Sequence, residues 1–161
     1  MTPRNPRGVL FIGLSFLGAF ALTVLPLPDW AQAWRPAWVA LVLLYWCMAL
    51  PERVGVVTAW LTGVLLDVLV GTTLGQHALG LAVVACITSI YHKRLRVFSQ
   101  LQQATICAGI LVLYVTVLRI VDRFAGVPLP SASYLTVVPS ALLWPWLFII
   151  LRDVRRKGRV R

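Results

Sequence analysis

The sequence contains few of the residues that carry acid–base or metal chemistry. Of its 161 residues, 12% are charged, and it has only five acidic residues, two histidines and three cysteines. The cysteines Cys47, Cys86 and Cys107 show no metal-ligand spacing, and we expect them to be small buried apolar residues. Zincin and P-loop signatures are absent, as is any nucleophile–base pair with suitable spacing. We therefore predict no catalytic activity, cofactor or metal.

The apolar content is correspondingly high. Hydrophobic residues make up 60% of the chain and the mean hydropathy is +0.85, whereas soluble domains are roughly 25% charged. A hydrocarbon core of about 30 Å requires about 20 apolar residues in a helix, and several stretches approach that length. Strand-like alternation is absent, which favours helices. The composition predicts an all-α polytopic membrane protein, with residues 1–161 as one integral-membrane domain.

Six apolar stretches are candidates for membrane spans. They cover residues 8–25, 37–50, 54–70, 77–91, 102–121 and 134–151. The second stretch is short; it could be re-entrant, or it could continue upstream through Trp30 and Trp34 with a kink at Pro36. The first imitates a secretory signal but exceeds the usual length of 7–15 residues, so we expect it to be retained as a span.

Basic residues indicate the orientation of these spans. With both termini cytoplasmic, most of them lie inside, including a basic tail at 152–161, and only Arg35, Arg119 and Arg123 lie outside. Lys93, Arg94 and Arg96, in the loop after the fourth span, are candidates for binding anionic lipids, although topology alone also explains them. The net charge of +10 is adjacent to membrane spans rather than on a folded basic face, so no nucleic acid partner is expected.

Asp67 is the acid placed within an apolar run. An ionised group at that depth is costly and usually has a purpose. Arg35, Arg119 and His77 are predicted at a similar depth, and pairing of Asp67 with Arg119 or Arg35 would lower the cost of both charges. A proton path would need a relay of ionisable groups, and an intramembrane aspartyl protease would need a second acid. We therefore favour a structural interhelical lock over a proton or ligand site.

Two further features are predicted on the outer side of the membrane, the same side as Asp67. Gly71 and Gly75 bracket a short segment after the third span, and they predict a tight outer hairpin. Trp30, Trp34 and Trp38 recur every four residues, so they would share one face of a continuous helix. This face predicts an interfacial anchor or, alternatively, a docking surface for a partner.

These residues carry a resemblance to a known family. The relevant segments are Arg35-Pro36-Ala37-Trp38, Tyr45-Trp46 with Leu50-Pro51, and the block Gly63-x-Leu65-Leu66-Asp67-x-x-x-Gly71-x-x-Leu74-Gly75-x-His77-Ala78-Leu79. In order and spacing they resemble MreD, the integral-membrane rod shape-determining family of bacteria. The resemblance implies a non-enzymatic inner-membrane component of the cell-wall elongation machinery. Its implied partners are MreC and, through MreC, MreB, RodA and the elongation transpeptidase.

The same family is similar in fold to the six-helix substrate-binding subunits of energy-coupling-factor vitamin transporters. This implies an alternative function, a small-molecule-binding membrane subunit. A ligand pocket needs a few convergent polar groups. The candidates predicted for the outer half are Asp67, Thr72, Thr73, Gln76 and His77.

Overall fold

The structure, a computed structural model, describes residues 6–127 and 133–157, without the side chains of Pro6, Arg7 and Asp29. All the regular secondary structure in these two ranges is helical. The helices are α1 (Pro6–Val24), α2 (Asp29–Gln32), α3 (Trp38–Ala49), α4 (Val56–Val70), α5 (Gln76–Leu95), α6 (Gln100–Phe124) and α7 (Val137–Lys157), the last preceded by a 3₁₀ turn at Tyr134–Thr136.

Local sequence explains where the helices begin and end. Gly71 ends α4 in the left-handed conformation (φ 73°), and its N–H donates to the Asp67 carbonyl at 2.9 Å. Ser99 and Gln102 form a reciprocal capping box at the start of α6, with distances of 3.4 and 3.2 Å. The six longer helices correspond to the six predicted spans, with ends that differ by a few residues.

Helix α3 lies at the centre of the fold. Every residue from Val39 to Ala49 is buried, and α3 packs against α1, α5 and α7. A helix that is apolar on all sides is stable only when it is surrounded by other helices or by lipid. The indole Nε1 of Trp46, fully buried, donates to Ser15 Oγ on α1 at 2.8 Å. The second predicted span is thus the core of the protein.

The predicted upstream continuation of this helix is wrong. Helix α3 has 12 residues, which at 1.5 Å per residue gives about 18 Å. Helix α2 ends at Gln32, and residues 35–37 have no regular secondary structure before α3 begins. Pro36 explains the break, because proline lacks an N–H and disfavours helical backbone at the residue before it. Trp30, Trp34 and Trp38 therefore do not share one continuous helical face.

Within residues 6–127 and 133–157, three helical segments are long and apolar enough to cross a membrane: Gln76–Leu95, Gln100–Phe124 and Tyr134–Lys157. Helices α1, α3 and α4 are apolar but shorter. Large apolar side chains such as Leu14 and Leu17 on α1 and Val57 and Leu61 on α4 point outward. Cys86 is also exposed, which contradicts its predicted burial, whereas Cys47 and Cys107 are buried.

The bundle has two distinct ends. At one, which we call the hairpin end, the turn from Gly71 to Gly75 lies beside the end of α1 and the start of α3. At the other, the basic end, lie the turns that join α3 to α4 and α5 to α6, together with the end of α7. Helix α7 continues through Lys157, so residues 152–157 of the predicted basic tail are helical; residues 158–161 lie outside the described residues.

Candidate functional site

Asp67 is a buried acid near the end of α4, with only 1% of its surface exposed. Its Oδ1 accepts hydrogen bonds from Thr72 Oγ1 (3.0 Å), the His77 N–H (2.9 Å) and His77 Nδ1 (2.8 Å). Its Oδ2 accepts from the Gly75 N–H (2.8 Å) and, more weakly, from the Ala78 N–H (3.4 Å). All of these partners are in the hairpin or in the first turn of α5. The carboxylate therefore connects two consecutive helices across their shared turn.

The first turn of α5 provides the backbone part of this network. The first N–H groups of a helix have no partner within the helix, and the aligned peptide dipoles favour negative charge there. Anions commonly bind at this position. Here the anion is the side chain of Asp67, and Gly75, with φ 96°, adopts the left-handed conformation that turns the chain into α5. Asp67 thus caps a helix that begins nine residues later, at Gln76.

His77 forms the side-chain part of the network. An ionised carboxylate can only accept hydrogen bonds, so with Asp67 in that form Nδ1 of His77 is the donor of the His77–Asp67 bond. Thr72 Oγ1 is also 3.2 Å from that nitrogen. The other ring nitrogen, Nε2, has no hydrogen bond in the described structure. His77 is thus held by Asp67 and retains one nitrogen for another partner.

Glycine permits the close packing that this arrangement requires. A Cβ at Gly63 on α4 would overlap backbone atoms of Ala78 and lie 2.7 Å from the carbonyl carbon of His77. Helices α4 and α5 make the most extensive helix–helix contact of the fold. Gly63 thus lets the backbone of α4 reach the first turn of α5, where Asp67 binds.

The two arginines predicted beside Asp67 bind elsewhere, and that part of the prediction is wrong. The guanidinium of Arg35 donates to the carbonyls of Thr23 and Leu25, the latter at 2.6 Å, and so caps the end of α1. The guanidinium carbon of Arg119 lies 5.0 Å from the ring centroid of Tyr134, in a cation–π contact. Among the described residues, His77 is the ionisable side chain that pairs with Asp67. The partners of Asp67 are thus residues close to it in sequence, and not the distant arginines that were predicted.

A second buried acid, Asp122 on α6, was missed by the sequence analysis. It is 3% exposed, and its Oδ1 accepts from Gln76 Nε2 at 2.8 Å. The same amide nitrogen donates to the Leu118 carbonyl at 3.3 Å. The predicted fifth span ended at residue 121, one residue before Asp122. Its spacing of four residues from Leu118, and of eight from Tyr114, places it on the buried face of α6 and could have identified it.

The basic loop residues have different environments. Arg96 donates to the carbonyls of Met48 (2.8 Å, from Nε) and Ala49 (2.7 Å), which are unsatisfied at the end of α3. Lys93 and Arg94 are exposed. Arg96 therefore has a structural role at the basic end, while the other two side chains are accessible to lipid headgroups.

The hairpin end also contains a cleft of about 490 Å³, which we call the hairpin cleft. Apolar side chains form much of its wall, and Arg35 and His77 both line it. Of the five polar residues predicted to form a ligand pocket, His77 is the one that lines this cleft.

The tryptophans predicted to form an anchor or a docking surface are exposed: Trp30 is 80% exposed and Trp34 is 49% exposed. No cluster of three or more potential metal ligands occurs among residues 6–127 and 133–157.

Comparison with known proteins identifies the family. Residues 5–154 match the family described as rod shape-determining protein MreD. The chain is 36% identical over 150 residues to the rod shape-determining protein MreD of Haemophilus influenzae, and the match covers 90% of each chain. No solved structure matches the chain, so the likeness to vitamin-transporter subunits stays a prediction. The chain belongs to the MreD family of rod shape-determining membrane proteins.

Proposed function

We propose that this protein is a non-enzymatic component of the cell-wall elongation machinery in the bacterial inner membrane. In this role it binds MreC and helps to position the enzymes of peptidoglycan synthesis, with MreB, RodA and the elongation transpeptidase as indirect partners. Membership of the MreD family supports a role in cell shape. The binding of MreC and the recruitment of enzymes are the parts of the proposal that require testing.

The hydrogen bonding of Asp67 carries the proposal. An ionisable residue within a membrane helix is by default a functional-site candidate. Here, however, both carboxylate oxygens are occupied by groups of the chain itself. The network stiffens the contact between α4 and α5, and it engages both oxygens of Asp67. A stiff helical body with apolar outer surfaces is suited to holding partner helices in place.

The proposed topology has six spans with both termini in the cytoplasm. The positive-inside rule favours a cytoplasmic location for the basic end, where Lys93, Arg94 and the basic residues of α7 lie. In the proposed topology the hairpin end, with Trp30 and Trp34, is on the periplasmic side. Because α3 is surrounded by other helices, its 12 residues need not cover the full thickness of the bilayer. Lys93 and Arg94 are proposed to bind anionic lipid headgroups.

The exposed tryptophans are the proposed contact for MreC. Trp30 belongs to the short helix α2, and Trp34 lies in the turn that follows it. Large aromatic side chains are enriched among the residues that dominate protein interfaces. They are equally suited to the membrane–water boundary, so the experiment must separate partner binding from anchoring.

The test is recovery of MreC with the tagged full-length protein, purified from native membranes in mild detergent and quantified by mass spectrometry. We expect wild type to recover MreC, and the double variant Trp30→Ala/Trp34→Ala to recover at least about tenfold less, as expected for interface hot spots. The control is Trp60→Ala on α4, a tryptophan of a different helix whose exposure (48%) matches that of Trp34 (49%). Equal loss in the control would point to membrane anchoring. Absence of MreC from the wild-type sample would refute the proposal, and recovery of ABC-type ATPases would favour the transporter alternative.

A further inference from the structure

We propose that the hairpin cleft binds an anionic group, a phosphate or a carboxylate, attached to an apolar body. The inference does not depend on MreC binding, because it concerns a cavity within one chain. The volume of about 490 Å³ lies within the range of small-molecule sites, about 300 to 1,000 Å³. Such sites typically combine apolar walls with a few polar groups, and the hairpin cleft has both.

The apolar walls come mainly from three helices. The larger side chains that form them are Trp38 on α3, Leu66 and Val70 on α4, and Tyr114, Val115 and Leu118 on α6. An apolar ligand portion would gain roughly 25 cal/mol for each Å² that it buries against them. The walls therefore favour a ligand with a substantial apolar portion over a small inorganic ion.

The charge of the lining favours an anion. Arg35 is the permanently charged residue that lines the cleft, and no aspartate or glutamate is among the described residues of its wall. Apart from His77, the remaining polar lining consists of neutral amide and hydroxyl side chains, which can donate hydrogen bonds. Asp67 is buried behind the hairpin and is not part of the wall. The local field in the cleft is thus set by a cation.

Arg35 is held in a fixed position and still has a donor to spare. Two of its nitrogens, Nη1 and Nη2, bind the carbonyls at the end of α1, which restricts the guanidinium. Its Nε is buried and has no hydrogen-bond partner in the described structure. An unsatisfied buried donor is costly, by about 1 to 3 kcal/mol for a typical group. Because Arg35 lines the cleft, a phosphate or carboxylate oxygen there is the partner that we propose for this donor.

His77 provides the second polar contact. Asp67 holds its Nδ1, so the ring orientation is fixed and Nε2 is the nitrogen left without a partner. In neutral histidine Nε2 accepts a hydrogen bond from the hydroxyl of a monoanionic phosphate; in protonated histidine it donates to either anion. Arg35 and His77 together would recognise the headgroup while the walls enclose the apolar portion.

The test uses the two histidines of the chain, His77 and His92, as separate NMR reporters. Full-length protein labelled with ¹⁵N-histidine is placed in phosphatidylcholine nanodiscs and titrated with octyl phosphate below its micelle-forming concentration. We expect a saturable shift of the His77 ring nitrogens, with His92 as internal reference. Octyl glucoside, which has the same tail and a neutral headgroup, should produce no such shift. An equal shift with octyl glucoside, or no saturable shift with octyl phosphate, would overturn the proposal.

Variants of two arginines test the role of charge. Arg35→Gln should weaken octyl phosphate binding by about tenfold or more, the loss expected for a charged hydrogen bond. Arg119→Gln is the matched control, because Arg119 lies in a different cavity beside Tyr134; equal weakening in this variant would overturn the proposal. Arg35 also caps α1, so Arg35→Gln could prevent folding. In that case the comparison of octyl phosphate with octyl glucoside on the wild-type protein decides whether the cleft prefers an anion.

Two further titrations distinguish the source of the anion. Competition by inorganic phosphate would identify a soluble anion, which can enter from the aqueous side. The same His77 shift in phosphatidylglycerol nanodiscs without added probe would identify a lipid headgroup. Either result supports an anion site in the hairpin cleft.

Discussion

Replacement of Asp67 by leucine or by asparagine tests whether this residue is an interhelical lock. Leucine removes both acceptor oxygens, while asparagine retains one. If the role of Asp67 is structural, the free energy of unfolding should fall much more in Asp67→Leu than in Asp67→Asn. If Asp67 is instead needed for its charge at a functional site, the two variants should accumulate equally and both should lose function.

The structure allows the sizes of these effects to be worked out. Asp67→Leu removes the acceptor of the three shortest hydrogen bonds to Asp67. The donors left without an acceptor are the Gly75 N–H, the His77 N–H and His77 Nδ1. At roughly 2 kcal/mol each, offset by about 2 kcal/mol for burial of the leucine side chain, the expected net loss is about 4 kcal/mol. Asp67→Asn loses chiefly the acceptor for one of these donors, which gives a loss of about 2 kcal/mol.

The assay is unfolding of the purified full-length protein by sodium dodecyl sulfate in mixed micelles, followed by far-ultraviolet circular dichroism. Asp153→Asn is the control. The Asp153 side chain is 55% exposed, and its 4.0 Å contact with Arg152 is a surface ion pair, which contributes little to stability. We expect its free energy of unfolding to change by no more than about 0.5 kcal/mol. The structural account is refuted if Asp67→Leu unfolds at the same detergent fraction as wild type, or if asparagine is as damaging as leucine. Restoration of rod shape in cells that lack the endogenous protein provides the functional comparison.

Three other substitutions test packing and capping in the same unfolding assay. Gly63→Ala should destabilise by about 3 kcal/mol, as expected for overpacking between helices, whereas Gly109→Ala, which has open space around its Cβ position, should be neutral or slightly stabilising; equal effects would contradict the close approach. Arg96→Ala should lower the free energy of unfolding by about 2 kcal/mol, because two carbonyls at the end of α3 lose their hydrogen-bond donors. The same substitution at the exposed residue Arg94 should change the stability little. Ser15→Ala should cost about 1 kcal/mol by leaving the buried indole N–H of α3 unpaired; an unchanged stability would show that this bond contributes nothing.

The prediction of the helices succeeded where apolar runs and local signals agree. The glycines at 71 and 75 identified the hairpin, because only a residue without a Cβ readily adopts the left-handed backbone found at both positions. The prediction failed at Pro36, where regular tryptophan spacing suggested a continuous helix that proline interrupts. It also failed at Asp122, because the predicted span ended before that residue although the buried face of α6 continues past it.

The partners of Asp67 show why contacts are harder to predict than helices. Depth along the chain placed Arg35 and Arg119 near Asp67, but depth does not specify position around the bundle. The actual partners are donors from the hairpin and the first turn of α5, where unsatisfied N–H groups and a nearby histidine meet the carboxylate. The arginines instead bind the carbonyls of α1 and the ring of Tyr134.

The sequence by itself determined that this is a helical membrane protein, where its hairpin lies and to which family it belongs. These properties depend on composition, on glycine and proline, and on short motifs, all of which act over a few neighbouring residues. Tertiary structure alone decided that α3 is the buried centre, that Asp67 caps α5, and that Arg35 and His77 line one cleft. Each of these depends on which helix faces are in contact, and in a chain that is apolar on nearly every face the hydrophobic pattern does not specify them.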